Sequence, residues 1–89
     1  MIGTLIIKRD GRLEKWNSDK IESAVTRALM ATDPGRDLSE AEDITTTVAD
    51  QLEHLLEHIP EISFSDLHDL VEVELMKYDP HATKNYIIY

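Results

Sequence analysis

Eighty-nine residues with no cysteine describe one small domain that has no disulfide staple, no thiolate nucleophile and no thiolate metal site. An apolar fraction of 42% with clear helical periodicity excludes a disordered chain, and no apolar run approaches membrane-spanning length. The net charge of -9 is unevenly placed: residues 1–20 carry five cations (Lys8, Arg9, Arg12, Lys15, Lys20) against three carboxylates, whereas residues 21–89 carry four cations against fifteen. An extended polyanion such as duplex nucleic acid is repelled by most of such a surface, while a compact anion can still reach one cationic pocket. Met1-Ile2-Gly3 lacks the basic-then-apolar layout of a secretory signal, so the expectation is a soluble cytoplasmic domain with no membrane partner.

In chain order, "TLIIK" (Thr4–Lys8) is a β-branched run and "RLEKW" (Arg12–Trp16) alternates in polarity. Asp10-Gly11 between them suits a type I′ turn, which predicts a β-hairpin. Asn17-Ser18-Asp19 offers capping side chains, and Asp19 with Glu22 resembles a capping box. The following helix carries Ile21, Ala24, Val25, Ala28 and Leu29 as its apolar stripe and stops at "ATDPGRD", where Pro34 and Gly35 break the pattern. Ser39 and Glu42 form a second capping-box signature. Behind it Ala41, Ile44, Thr45, Val48, Leu52, Leu55, Leu56 and Ile59 trace one face of a long helix that Pro60 ends. "EIS" (61–63) is a candidate third strand, because a lone hairpin is only marginally stable. Ser65 or Asp66 then caps a third helix with Leu67, Leu70, Val71, Leu75 and Tyr78 on its buried side. Asp79-Pro80 reads as a cap followed by proline at the first helical position, opening a last helix toward Tyr89 on which Ala82, Tyr86 and Ile87 pack. The fold class is therefore α+β, an N-terminal hairpin packed on a four-helix bundle.

A hairpin that feeds directly into a helix start has a chemical consequence. The first helical turn leaves backbone N–H groups unpaired and carries partial positive charge. Lys20 in that turn, with Lys8 and Arg9 at the adjoining strand end, completes a phosphate site. Trp16 can lie beside a base, and Glu14 or Asn17 can read polar edges. The bland counterpart is a lysine-dressed hairpin edge kept soluble by its charges, with Trp16 as an ordinary core residue. His54 and His58 stand four apart on the long helix, a metal-compatible spacing, but no third ligand is indicated. His68, two residues after Asp66, is the more interesting histidine. Glycine-rich phosphate loops and nucleophile elbows are absent, which favours binding over turnover.

The segment "IIKRDGRLEKWNSDKIESAVTRAL" resembles the opening of the ATP-cone, the allosteric nucleotide-binding domain found at the N-terminus of many ribonucleotide reductases. The similar elements stand here as Lys8-Arg9-Asp10-Gly11, Asp19-Lys20-Ile21 and Ala24 with Arg27-Ala28. "ISFSDLHDLVEVELMK" looks like the strand-then-helix segment of the same family, and "ATKNYIIY" like its closing helix. The resemblance spans residues 1–89 as one domain and implies an N-terminal fragment of a longer reductase chain, with the anaerobic glycyl-radical class favoured. It implies a non-catalytic module that binds ATP or dATP, with Mg²⁺, and adjusts reductase activity, ATP promoting it and dATP shutting it down through subunit assembly. The partners so implied are adenine nucleotides, the rest of the reductase and a second copy of the domain.

By the same resemblance Lys8 and Arg9 hold phosphates with Lys20 beside them, and Ile7, Trp16 and Ile21 line the base or sugar. Glu14 and Asn17 give polar contacts, and His68 approaches from the third helix. Trp16 departs from the smaller apolar residues or phenylalanine usual at its position, and Ser63-Phe64 replaces polar residues of some relatives. A degenerate cone that docks its basic hairpin on an acidic protein is the alternative.

Overall fold

The β-branched run and the alternating run pair as the hairpin requires. In the computed structural model, which describes residues 3–86, β1 (Leu5–Ile7) lies antiparallel to β2 (Leu13–Lys15) with Ile6 opposite Glu14. The connection is not the expected type I′ turn, which needs positive φ at both central residues. Among the described residues only Gly11 has positive φ, at 86°. The Gly11 N–H donates to the Lys8 carbonyl at 2.9 Å, and the Lys8 N–H donates to the Arg12 carbonyl at 2.8 Å. This is a three-residue loop, Arg9-Asp10-Gly11, closed by a glycine bulge. Asp10 stabilises it without positive φ of its own, because its carboxylate accepts from the Arg12 N–H at 3.1 Å and from Arg12 Nε at 2.6 Å.

The "EIS" segment does form a strand. β3 (Glu61–Ser63) runs parallel to β1 with Ile62 opposite Ile6, giving the sheet order β2-β1-β3. Three α-helices follow from the apolar stripes: α1 (Ser18–Thr32), α2 (Leu38–Leu56) and α3 (Phe64–Met76). α1 is capped by the first of the three side chains the sequence offers, ahead of the Asp19 capping box, and α2 and α3 are capped two or more residues earlier than expected. Asn17 accepts from the Lys20 N–H, Asp37 from the Ser39 N–H and Ser63 from the Asp66 N–H. Polar residues at the first helical positions hid the true starts: Ser18 and Asp19 are tolerated in a first turn, so the stripe seemed to begin at Ile21.

Two other expectations fail at chain turns. α2 stops at Leu56 rather than running to Pro60, so Ile59 lies beyond it and is exposed; Leu55, within the helix, is exposed as well. The cause of the stop is Thr4, whose buried hydroxyl lies 2.9 Å from the Leu56 carbonyl and 2.7 Å from that of Ile59, while the Leu5 N–H takes the Pro60 carbonyl. The chain is thereby drawn into β3. Tyr78 falls beyond the end of α3 and is exposed. There the chain turns to bury Asp79, which pairs with Arg36 and accepts from the His81 and Ala82 N–H groups. The Asp79 carboxylate thus takes backbone donors as a cap does, but the element that follows is a short 3-10 turn (Ala82–Asn85) with His81 at its N-cap position, not a fourth α-helix opened by Pro80. Ala82 and Tyr86 are buried against the helices; the expected packing of Ile87 lies outside the described residues.

The core gathers one face of each element. Val25 and Leu29 of α1, Val48, Leu52 and Leu56 of α2, and Val71 and Leu75 of α3 are all at or below 1% exposed. Ala49, absent from the expected stripe, joins them at 3%. Ile6 of β1 and Ala82 and Tyr86 at the far end close the same cluster. Burial at this level makes each large side chain worth about 1.5–3 kcal/mol. The sheet contributes little to that core beyond Ile6, and its tie to α2 is the Thr4 hydroxyl. Thr4→Val keeps the shape and removes the donor, so it is expected to lower unfolding stability by about 1–3 kcal/mol in a urea titration followed by circular dichroism; an unchanged midpoint would show that the tie is dispensable.

Candidate functional site

Residues directly opposite in an antiparallel pair point to the same side of the sheet. Ile6 faces Glu14, and Trp16 donates its N–H to the Thr4 carbonyl at 3.2 Å. Thr4, Ile6 and Lys8 therefore share one face with Glu14 and Trp16. Ile6 is 6% exposed, which identifies that face as the one covered by helices. α1 and α3 reach it from opposite ends of β1, because β2 leads into α1 and β3 runs straight into α3.

Six of the nine expected site residues line one cleft there: Lys8, Glu14, Trp16, Asn17, Lys20 and Ile21. Ile6, Lys15, Phe64 and Leu67 complete its walls. Lys8 Nζ stands 3.8 Å from one oxygen of Glu14, and Lys20 Nζ stands 3.5 Å from the other. Lys8 Nζ also lies 5.1 Å from the centre of the Phe64 ring, a cation–π distance, and its side chain is only 19% exposed. Asn17 uses its carboxamide oxygen to cap α1, so its amide donors are what remain for a ligand. The Trp16 indole N–H is buried without a partner, an orphan donor inside the site.

The cleft itself is small, about 20 Å³, room for one water. It adjoins an open groove of about 1000 Å³ that shares Glu14, Lys15, Trp16 and Asn17 and extends to Asp19 and Glu53. Trp16 thus stands between a cationic cleft and a roomy groove.

The remaining three expected residues lie apart from that cleft. Arg9 is exposed in the loop, its guanidinium carbon 6.0 Å from the Phe64 ring centre. Ile7 pairs with Leu13 on the opposite face of the sheet, and Ile6 occupies the inward position instead. The period-two alternation that puts Lys8 inward requires this, so the sequence held the signal for Ile6. His68 sits one turn beyond Phe64 on α3, its Nε2 2.6 Å from Glu72 Oε1 and its ring centre 5.1 Å from that of Tyr86. Phe64 is the residue that sequence reasoning undervalued: its ring is the surface on which both Lys8 and Arg9 rest.

Comparison with known proteins gives the family of the chain. The family model described as "ATP cone domain" matches residues 4–89, and the chain belongs to that family. It is 37% identical over 94 aligned residues to the ribonucleoside-diphosphate reductase subunit alpha of Chlamydia pneumoniae. That match takes in 94% of this chain and 9% of the relative, so the chain spans about a tenth of that protein's length.

At the far end of the core, beside His68, the Tyr86 hydroxyl is buried without a hydrogen-bond partner. Burial first, and then the Glu72 carboxylate, push its pKa well above the usual tyrosine value. The unfolded chain releases that proton near pH 10, whereas the folded chain keeps it. Its stabilising contribution is thus complete below about pH 10 and is lost as the pH rises further. Tyr86→Phe, which keeps the ring, is expected to flatten the decline in thermal stability above about pH 10; an equally steep decline would show that the hydroxyl is not held protonated.

Proposed function

We propose that this domain is an allosteric sensor of adenine nucleotides, ATP and dATP, attached to a ribonucleotide reductase and without catalysis of its own. The observation that carries the proposal is the convergence of Lys8 and Lys20 on one point at the start of α1, inside a chain that is otherwise strongly acidic. In the nucleotide complex Lys8, Lys20 and the N–H groups opening α1 take the phosphates. Arg9 swings in from the loop to join them. Trp16 offers its ring to the base along the open groove, and its orphan indole N–H gains an acceptor. Asn17 and Glu14 read polar edges, Ile6 and Ile21 line the sugar, and His68 approaches from α3. Ile7, turned to the other face, serves the sheet rather than the ligand.

Among the described residues no three His, Cys, Asp or Glu side chains are grouped to hold a metal ion. Mg²⁺ would come with the nucleotide and would screen the charge of its phosphates beside Lys8 and Lys20. The relative's name, a diphosphate reductase alpha subunit, supports attachment to a reductase and lends nothing to the glycyl-radical class. In the full protein ATP promotes and dATP suppresses activity by altering how subunits assemble, which makes a second copy and the catalytic region the protein partners. No helix among the described residues is long and apolar enough to cross a membrane, and the acidic remainder of the surface disfavours nucleic acid.

Titration calorimetry with ATP, dATP and GTP tests the proposal. Adenine nucleotides should bind in preference to GTP, and Lys8→Ala/Arg9→Ala should weaken dATP by at least about a hundredfold, since each charge-assisted contact is worth about 1.5–3 kcal/mol. A double variant that binds dATP as tightly as the parent would remove the phosphate assignment.

A further inference from the structure

Glu14 is an odd residue to find in the middle of an anion site. Its two carboxylate oxygens are divided between the two cations, 3.8 Å from Lys8 Nζ and 3.5 Å from Lys20 Nζ. We infer that Glu14 is an internal counter-ion holding the position between Lys8 and Lys20 that a phosphate must take, so that the site binds by exchanging one anion for another and selects ligands by what they offer the displaced carboxylate. The inference rests on the phosphate half of the function proposed above.

Three features make the exchange workable. Both contacts are longer than a hydrogen bond, and the Glu14 side chain is 46% exposed, so the carboxylate is held by loose ion pairs and leaves without opening the core. Lys8 does not follow it, because the Phe64 ring lies 5.1 Å beneath its ammonium and keeps it aimed into the cleft. Glu14 also has somewhere to go. It lines both the small cleft and the adjoining groove, so the groove is within reach of its side chain.

The groove already holds Asp19 and Glu53, and a carboxylate arriving beside them is repelled unless the ligand supplies a donor there. A nucleoside phosphate does so with the N–H or O–H groups of its base and sugar. A bare phosphate chain has none, and leaves the displaced Glu14 facing its own kind. Glu14 therefore discriminates against inorganic polyphosphate in favour of phosphates that carry a hydrogen-bonding body.

The test is calorimetry with inorganic tripolyphosphate and with ATP on the parent chain, Glu14→Gln and Asp19→Asn. Glutamine keeps an acceptor for the groove and removes the competing charge. Glu14→Gln should bind tripolyphosphate about fivefold tighter than the parent, the order expected for lifting one exposed charge from beside a polyanion, with a smaller gain for ATP. Asp19→Asn, on the same rim but paired with neither lysine, should change tripolyphosphate binding by less than about twofold. Equal tripolyphosphate affinity in Glu14→Gln and parent, an equal gain in Asp19→Asn, or no tripolyphosphate binding by any of the three would overturn the inference. A parent that fails to bind ATP, with the Glu14→Gln gain intact, would instead sink the adenine-nucleotide function and leave the counter-ion role standing.

Discussion

The register of the first two strands is the constraint on which the site depends. Side chains alternate along a strand, so a slip of one residue would move Glu14 and Trp16 to the outer face and bring Leu13 and Lys15 inward. What prevents the slip is the loop Arg9-Asp10-Gly11. Gly11 takes a left-handed conformation at φ 86°, and Asp10 holds Arg12 through both its backbone and its guanidinium. With that loop closed, Ile6 must face Glu14, and Lys8 must lie on the same side. The cationic cleft follows from a turn several residues away from most of its walls.

The second contribution comes from the parallel partner. β3 extends the sheet on the other side of β1 and delivers Phe64 at the start of α3. Its ring then supports the two cations that leave the hairpin. An ammonium resting on an aromatic face loses little of its charge to solvent screening, which suits it to meet an incoming anion. The bulk of the hydrophobic core lies among α1, α2 and α3, and the cleft touches it only through Ile6, Ile21 and Leu67 with Trp16 and Phe64 packed against them. The division is physically sensible: a site whose groups must move is built on a small sheet edge, and stability is left to the helices.

Much of this arrangement was legible from residue order. The hairpin, the short third strand, the stripes of three helices and the gathering of Lys8, Glu14, Trp16, Asn17 and Lys20 follow from alternation, periodicity and charge, while Ile21 is added to that group by the family resemblance. Helix starts were misjudged because Ser18, Asp19 and Ser39 satisfy a first turn as readily as a cap. Placing Ile59 and Tyr78 in the core extends a period past the point where the chain turns, whereas Leu55, still inside α2, lies off the buried face of that helix. Those turns are set by long-range bonds from Thr4 and Arg36, with separations of more than forty residues, and no local pattern announces them. Between Ile6 and Ile7, the inward position of Lys8 decides by parity for Ile6. The face of Phe64 could be found only by folding the chain, since its partners lie at the opposite end of the sequence.

An amide chemical-shift titration of the isotope-labelled chain with ATP and Mg²⁺ bears most directly on the central claim, that the hairpin and the starts of α1 and α3 form one nucleotide site. The account predicts the largest shifts at Lys8, Arg9 and Gly11, at Ser18 through Lys20, and at Phe64 and Ser65, with the indole N–H of Trp16 moving alongside them. Shifts concentrated between α1 and α2, around Thr26, Met30 and Thr45, while Lys8, Lys20 and Trp16 stay still, would contradict it.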